Sequence, residues 1–301
     1  DELLRYADHI VFNSPAQLAK FGTKVKAAGK SVGLRINPEC STQDGHAIYD
    51  PCAPGSRLGT TRAAWDAAVA QNPALPQLLD GLHFHTLCEQ DADALAVTLD
   101  AVTEKFGDIL PKMKWVNFGG GHHITRPGYD IETLEHCIAR AQNAWGVTVY
   151  LEPGEACALN AGYLLTRVLD VVQNGGTTVA ILDASAACHM PDVIEMPYRP
   201  PLLFAGDAGQ KPCTVRLAGP TCLAGDVIGE YSFAAPLKAG DRLIFTDMAI
   251  YSMVKTTTFN GLRLPSIGSL AADLDAADPA ATARFRLVRR FGYEDFKTRL
   301  S

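Results

Sequence analysis

Short apolar runs alternate with amphipathic segments through the first half of the chain, and this alternation constrains the fold more than any other feature. The runs are His9–Asn13, Val32–Asn37, Gly81–Thr86, Lys114–Gly119 and Val147–Glu152. Between them lie Pro15–Ala28, Thr61–Leu79, Asp91–Leu110 and Ile131–Trp145, each with apolar residues three and four apart. Strand-length runs alternating with helical periods predict an α/β fold with a parallel sheet and right-handed crossovers.

Each predicted strand ends in polar or glycine-bearing residues: Asn13-Ser14, Arg35-Ile36-Asn37, His83-Phe84-His85, Gly119-Gly120-Gly121 and Glu152-Pro153-Gly154. In a β/α barrel the chemistry sits at the C-terminal ends of the strands, whereas an open doubly wound sheet gathers it at one switch point. Polar residues at every strand end favour the barrel. A closed barrel of this type takes eight strands, and the chain offers five before its texture changes. It also opens on Asp1, already inside a helical pattern, so the expected reading is a (β/α)8 barrel whose first strands precede this chain.

After about Ala158 the helical periods fade. Val168–Val172, Thr178–Leu182, Thr214–Leu217 and Arg242–Thr246 read as strands, with turns at Asn174-Gly175-Gly176 and Ala239-Gly240-Asp241. The expected division is a partial barrel over 1–158 and a mostly β domain over 159–301, with the Ala/Asp-rich stretch Ala271–Ala283 on its surface. Of 301 residues 47% are hydrophobic and 20% charged, which is enough apolar material for a large core. A net charge of −6 without a basic run argues against nucleic acid as a partner. No apolar stretch reaches the roughly 18 residues that a membrane span needs, so no membrane partner is expected. The eight cysteines form no C-x-x-C pair and read as reduced thiols of a cytoplasmic protein.

Several residues carry possible chemistry. Backbone amides of the turn Gly119-Gly120-Gly121 can converge on phosphate oxygens, and Gly154 after the next strand lets the backbone approach the same group. The bland alternative is a tight turn. A carboxylate at Glu152 suits a pyridine nitrogen whose proton it would hold. His85 can stack on a flat cofactor or be an ordinary interior histidine. Cys222, in Gly219-Pro220-Thr221-Cys222, is a proton donor if exposed and an inert thiol if buried. Tyr251 offers a hydroxyl to a phosphate or fills a core.

In this order H-F-H, G-G-G, E-P-G, G-P-T-C and A-I-Y-S…F-N-G resemble the fold-type III pyridoxal-phosphate decarboxylases. Within that group the phrases GLRINPE (33–39), LHFHTLCE (82–89), VNFGGGH (116–122), LEPGEA (151–156), HMPDVIEMPYRP (189–200) and SMVKTTTFNG (252–261) are most similar to carboxynorspermidine/carboxyspermidine decarboxylases. The resemblance implies a barrel that bears pyridoxal 5'-phosphate and a β domain, joined in a homodimer with shared active sites. It implies a carboxy-lyase of polyamine (spermidine) biosynthesis acting on a carboxylated polyamine. His85, Gly119, Gly120, Gly121, Glu152, Gly154 and Tyr251 would surround the cofactor, with Cys222 and His85 catalytic. Related ornithine decarboxylases carry E-P-G-R where this chain has Glu155. An acid there binds an ammonium group rather than a phosphate. Asp192, and more weakly Glu195 and Asp226, are further substrate-binding candidates.

The resemblance also implies a cofactor-bearing lysine on the first barrel strand, and no lysine of this chain follows an apolar strand in that place. The chain by itself is therefore expected to be inactive. Three rivals stay open. A lysine-less homologue could regulate a partner, and a diaminopimelate decarboxylase would share the fold. His83-x-His85 with His122-His123 could belong to a metal-dependent hydrolase, although no metal is expected here because E-P-G and G-P-T-C would go unexplained.

Overall fold

The computed structural model describes residues 1–43, 47–273 and 275–300, which form two compact units, Asp1–Cys157 and Ala158–Ser301. The first unit carries β1 (His9–Phe12), α1 (Pro15–Ala27), β2 (Ser31–Arg35), α2 (Arg62–Gln71), β3 (Gly81–His83), α3 (Ala92–Phe106), β4 (Trp115–Asn117), α4 (Ile131–Trp145), β5 (Thr148–Tyr150) and the short α5 (Gly154–Ala158). The strands pair in parallel in the order β1-β2-β3-β4-β5. Each strand lies beside its predecessor, so among the described residues this sheet shows no reversal of strand order and no switch point, as in a β/α barrel.

Local chemistry sets the helix limits. Ser14, Thr61 and Asp130 each accept a backbone N–H three residues on, from Gln17, Ala64 and Thr133, and so cap α1, α2 and α4. Gly146, at φ 68°, ends α4 in the left-handed region that glycine adopts without strain. The segment predicted as one helix over Thr61–Leu79 stops at Gln71 and resumes as a 3-10 turn at Leu75–Leu78, because Pro73 and Pro76 supply no N–H to a continuing helix. The core joins Leu34, Leu82, Val116 and Phe118 of the sheet to Leu95, Leu99 and Phe106 of α3. Across the strands the Trp115 indole lies against Gly33 and Gly81, and its Nε1 donates to Ser31 Oγ at 2.8 Å.

At the N-terminal edge of this sheet Asp80, only 5% exposed, accepts from Lys26 and Lys114 at 2.8 and 2.9 Å and from the Val32 amide at 3.0 Å. Burial alone would raise this carboxyl, but the two lysines outweigh it and hold it at about 2. Both lysines keep solvent access, so removing the acid leaves them hydrated. Asp80→Asn should therefore cost about 2 kcal/mol, less than the roughly 3–5 kcal/mol of a fully buried broken pair. Urea unfolding at neutral pH measures it, and a loss below about 0.5 kcal/mol would show the pairs to be idle. Because the folded carboxyl is depressed, its contribution is complete above the usual carboxylate range and fades as pH falls from about 4 toward 2.

The second unit contains β6 (Tyr163–Asn174), β7 (Thr177–Leu182), α6 (Ala186–His189), α7 (Asp192–Glu195), β8 (Gly206–Asp207), β9 (Cys213–Ala218), β10 (Val227–Phe233), β11 (Arg242–Thr246) and α8 (Tyr251–Val254). Its main sheet runs β11-β6-β7-β9-β10-β8, antiparallel except where β7 meets β9. A separate core of Val168, Leu182, Val215, Leu217, Tyr231 and Phe245 packs on it. Ile267–Ala271 and Arg284–Arg289 then form an antiparallel pair. Part of the Ala271–Ala283 stretch is an exposed helix at Pro279–Thr282, while its Leu274 lies outside the described residues. No helix among the described residues is long and apolar enough to cross a membrane.

Candidate active site

In the first unit the candidate residues gather where β3, β4 and β5 end. Strand alternation turns Phe84 and Phe118 into the core, their rings stacked 5.1 Å apart, and leaves His83, His85, Asn117 and Glu152 on the opposite face. Asn117 Nδ2 donates to Glu152 Oε1 at 2.7 Å, while its own Oδ1 accepts from the Gly119 amide at 2.8 Å. The Glu152 amide in turn donates to Gly119 O at 2.8 Å. One asparagine thus ties the glycine turn to the acid. The Gly120 amide donates to His85 Nδ1 at 3.4 Å, and Arg35 reaches the His85 carbonyl at 3.2 Å.

The glycine turn cannot carry other residues. Gly119 and Gly121 have φ of 72° and 83°, and an added Cβ would stand 2.5 Å from Phe84 O at Gly119, 2.9 Å from Glu152 O at Gly120 and 2.2 Å from Leu87 O at Gly121. At Gly154 a Cβ would meet no protein atom within 4 Å, so that backbone is open to close approach.

The electrostatics are uneven. Burial drives His83 down to about 4, against the pull of Glu152 3.6 Å away, so the ring is neutral at neutral pH. Burial, and then Arg35, also lowers His85. Burial lowers the Arg35 guanidinium itself, with Glu152 opposing. Glu152 is half exposed and has Arg35 as a cation in its field. An acid, a flat imidazole and a glycine turn at adjacent strand ends fit a phosphorylated pyridine. The donor atoms of His83, His85 and Glu152 also come within 4.8 Å of one another, close enough for a metal ion.

In the second unit the remaining motifs converge on one another. The Cys222 amide donates to Asn260 Oδ1 at 2.9 Å, which joins the G-P-T-C and F-N-G segments. Cys222 is a free, exposed thiol, so the inert-core alternative fails. Tyr251 opens α8 and is exposed. Lys255 pairs with Asp192 and with Glu195, the latter at 2.6 Å. Two acids expected to bind substrate therefore already hold an ammonium group, one supplied by the chain itself.

Asp226 requires a correction. It was expected as a weaker substrate ligand, but it is 3% exposed and its carboxylate is saturated. Ser185 Oγ and Thr221 Oγ donate to it at 2.8 and 2.7 Å, and the Ala187 and Thr221 amides add two longer bonds. Asp226, buried and bonded by the chain on both oxygens, shapes the G-P-T-C loop instead of facing a ligand. Sequence reasoning also passed over Arg35, Asn117, Lys255 and Asn260 as members of these sites. A charged residue closing an apolar strand was the available signal for Arg35. Asn117, Lys255 and Asn260 lie inside the quoted phrases, but their partners Glu152, Asp192 and Cys222 are 35, 63 and 38 residues away in the sequence.

Residues 11–249 match the family model described as pyridoxal-dependent decarboxylase, C-terminal sheet domain. The chain belongs to the pyridoxal-dependent decarboxylases. The decarboxylase is 42% identical, over 99% of its length and 76% of the relative's, to a carboxynorspermidine/carboxyspermidine decarboxylase of Campylobacter jejuni. It is also 42% identical, over 99% of its length and 73% of the relative's, to a carboxyaminopropylagmatine decarboxylase of Synechocystis. A crystal structure of carboxynorspermidine decarboxylase complexed with norspermidine, from Campylobacter jejuni, superposes with a TM-score of 0.82 at 41% identity, covering 99% of this chain and 76% of that one. The α/β architecture expected from the sequence, a parallel sheet followed by a mostly antiparallel one, matches that of the fold-type III pyridoxal-phosphate decarboxylases, and the cofactor is pyridoxal phosphate. The regulatory and metal-hydrolase rivals give way to a carboxy-lyase.

Proposed function

We propose that this decarboxylase removes the α-carboxylate of carboxynorspermidine or carboxyspermidine, giving norspermidine or spermidine in polyamine biosynthesis. The observation that carries the reading is the 42% identity to the Campylobacter jejuni enzyme over 99% of the chain. The acid at Glu155 supports it, because the substrate arm brings ammonium groups to neutralise and no carboxylate.

Bound pyridoxal phosphate supplies a protonated ring that accepts the electron pair released as CO2 leaves. The chain's own residues hold and direct it. Gly121 would offer its backbone amide to the phosphate, Gly119, Gly120 and Gly154, whose amides donate to Asn117, His85 and the Glu152 carbonyl, would let that group come close, and Tyr251 would add a hydroxyl. His85, anchored by the Gly120 amide and Arg35, would stack on the ring. Glu152, oriented by Asn117, keeps the proton on the pyridine nitrogen. Cys222 returns a proton to the α-carbon. Glu155 takes an ammonium of the arm, and Asp192 with Glu195 can exchange Lys255 for another. The enzyme acts in the cytoplasm as a homodimer whose G-P-T-C loop serves the neighbouring subunit's cofactor.

A second substrate reading is favoured by the equal identity to the Synechocystis enzyme: carboxyaminopropylagmatine, whose arm ends in a guanidinium. Product formation from each substrate by a holoenzyme that includes the cofactor lysine decides between them. The two carboxylated triamines should have the highest kcat/KM, and should differ from each other by no more than roughly 10–200-fold because they differ by one methylene. A preference for carboxyaminopropylagmatine would select the second reading, and a preference for diaminopimelate would overturn both.

A further inference from the structure

Three residues that follow β3, β4 and β5 meet outside the cluster around Glu152. Donor atoms of Glu89, His123 and Glu155 lie within 4.8 Å of one another, with His123 Nε2 3.5 Å from Glu155 Oε2. His123 is 7% exposed, and neither of its ring nitrogens has a hydrogen-bond partner. Burying an imidazole in that condition is costly, and native chains rarely retain such a group without a use for it.

The scaffold holds the cluster in place. Gln90 N donates to Gly121 O at 2.9 Å and His123 N to Gln90 O at 3.3 Å, which clips the Glu89 loop to the His123 loop. Thr125 Oγ1 donates to Ala156 O at 2.6 Å, which clips the latter to α5 and so to Glu155. Glu89 itself sits at φ 52°, a left-handed conformation that a non-glycine residue keeps only when its surroundings enforce it.

We propose that Glu89, His123 and Glu155 form a receptor for an ammonium group of the substrate's polyamine arm, and that this receptor selects triamines over shorter diamines. The proposal rests on the polyamine reading and adds Glu89 and His123 to it. Two carboxylates neutralise the charge, and whichever ring nitrogen is unprotonated accepts a third N–H. Three acceptors match the three donors of a primary ammonium. The Asp192–Glu195 pair of the second unit offers no comparable opening while Lys255 holds it.

Calorimetric titration of the holoenzyme with norspermidine and with 1,3-diaminopropane tests this, using wild type, Glu89→Gln, Glu155→Gln and His123→Gln. Norspermidine affinity should fall about tenfold or more in each Gln-for-Glu variant. Diaminopropane affinity and cofactor absorbance should stay unchanged. Glu89 is exposed, so its variant reads the site without threatening the fold. Unchanged norspermidine binding in both Glu variants would overturn the receptor while leaving the polyamine reading intact. Failure of wild type to bind norspermidine would overturn that reading and the receptor with it. The same ligands suit a divalent metal, so elemental analysis is the last arm. Stoichiometric zinc or manganese in wild type that is lost in His123→Gln would overturn the ammonium assignment.

Discussion

Glu152→Gln should lower turnover about 10²–10³-fold, roughly 3–4 kcal/mol, the scale on which an enzyme loses a preorganised electrostatic partner. The substitution is isosteric, and an amide oxygen can still accept from Asn117 Nδ2 as Oε1 does now. What disappears is the negative charge. An amide cannot keep a proton on a pyridine nitrogen, and no neighbour replaces it: His83 is neutral, and Arg35 is a cation. Substrate affinity should change little, because the role proposed for the acid is toward the ring and not the polyamine arm. Single-turnover kinetics with a check of cofactor loading separates the effects. Wild-type turnover in a fully loaded variant would remove Glu152 from this role.

Cys222→Ala should lower kcat about a hundredfold with KM nearly unchanged, the size of effect expected when a positioned general acid is lost. Its thiol is exposed, on a loop fixed by Asn260 on one side and by the saturated Asp226 on the other. The loop's shape does not depend on the sulfur, so the variant tests chemistry rather than folding. If the loop serves the neighbouring subunit, mixing Cys222→Ala with Glu152→Gln should restore partial activity, since one site of each mixed dimer is intact. No recovery after demonstrated subunit exchange would place Cys222 and Glu152 in the same subunit's site.

What the sequence disclosed follows from how local each signal was. The α4 limits, Ile131 and Trp145, were legible because Asp130 caps one end and Gly146 closes the other. The strand ends were legible because polar residues there interrupt apolar runs. β10 was not, since Gly229 breaks its alternation and a register shift between Val227 and Gly229 displaces its pairing. Ile267–Ala271 and Arg284–Arg289 were also missed, because their exposed faces bury too little to show the usual contrast. Within the sites, Glu152 and the glycines could be read from their turns. The neutrality of His83, the Lys255 pairing and the saturation of Asp226 could not, because each depends on a partner or on burial that only the fold supplies.

The indole of Trp115 also restricts how a lineage carrying this sequence can drift. A methyl at Gly81 would sit 2.1 Å from its ring and one at Gly33 2.4 Å from it. Neither glycine can become alanine while the ring is there. The ring cannot shrink alone either, since that opens a cavity whose cost, about 3–5 kcal/mol for a buried tryptophan, consumes much of an ordinary domain's margin. The three positions are epistatic in both directions, and each needs the others' permission to change. Relatives that have left this trio should have exchanged it as a set, after a compensating gain elsewhere had widened the margin.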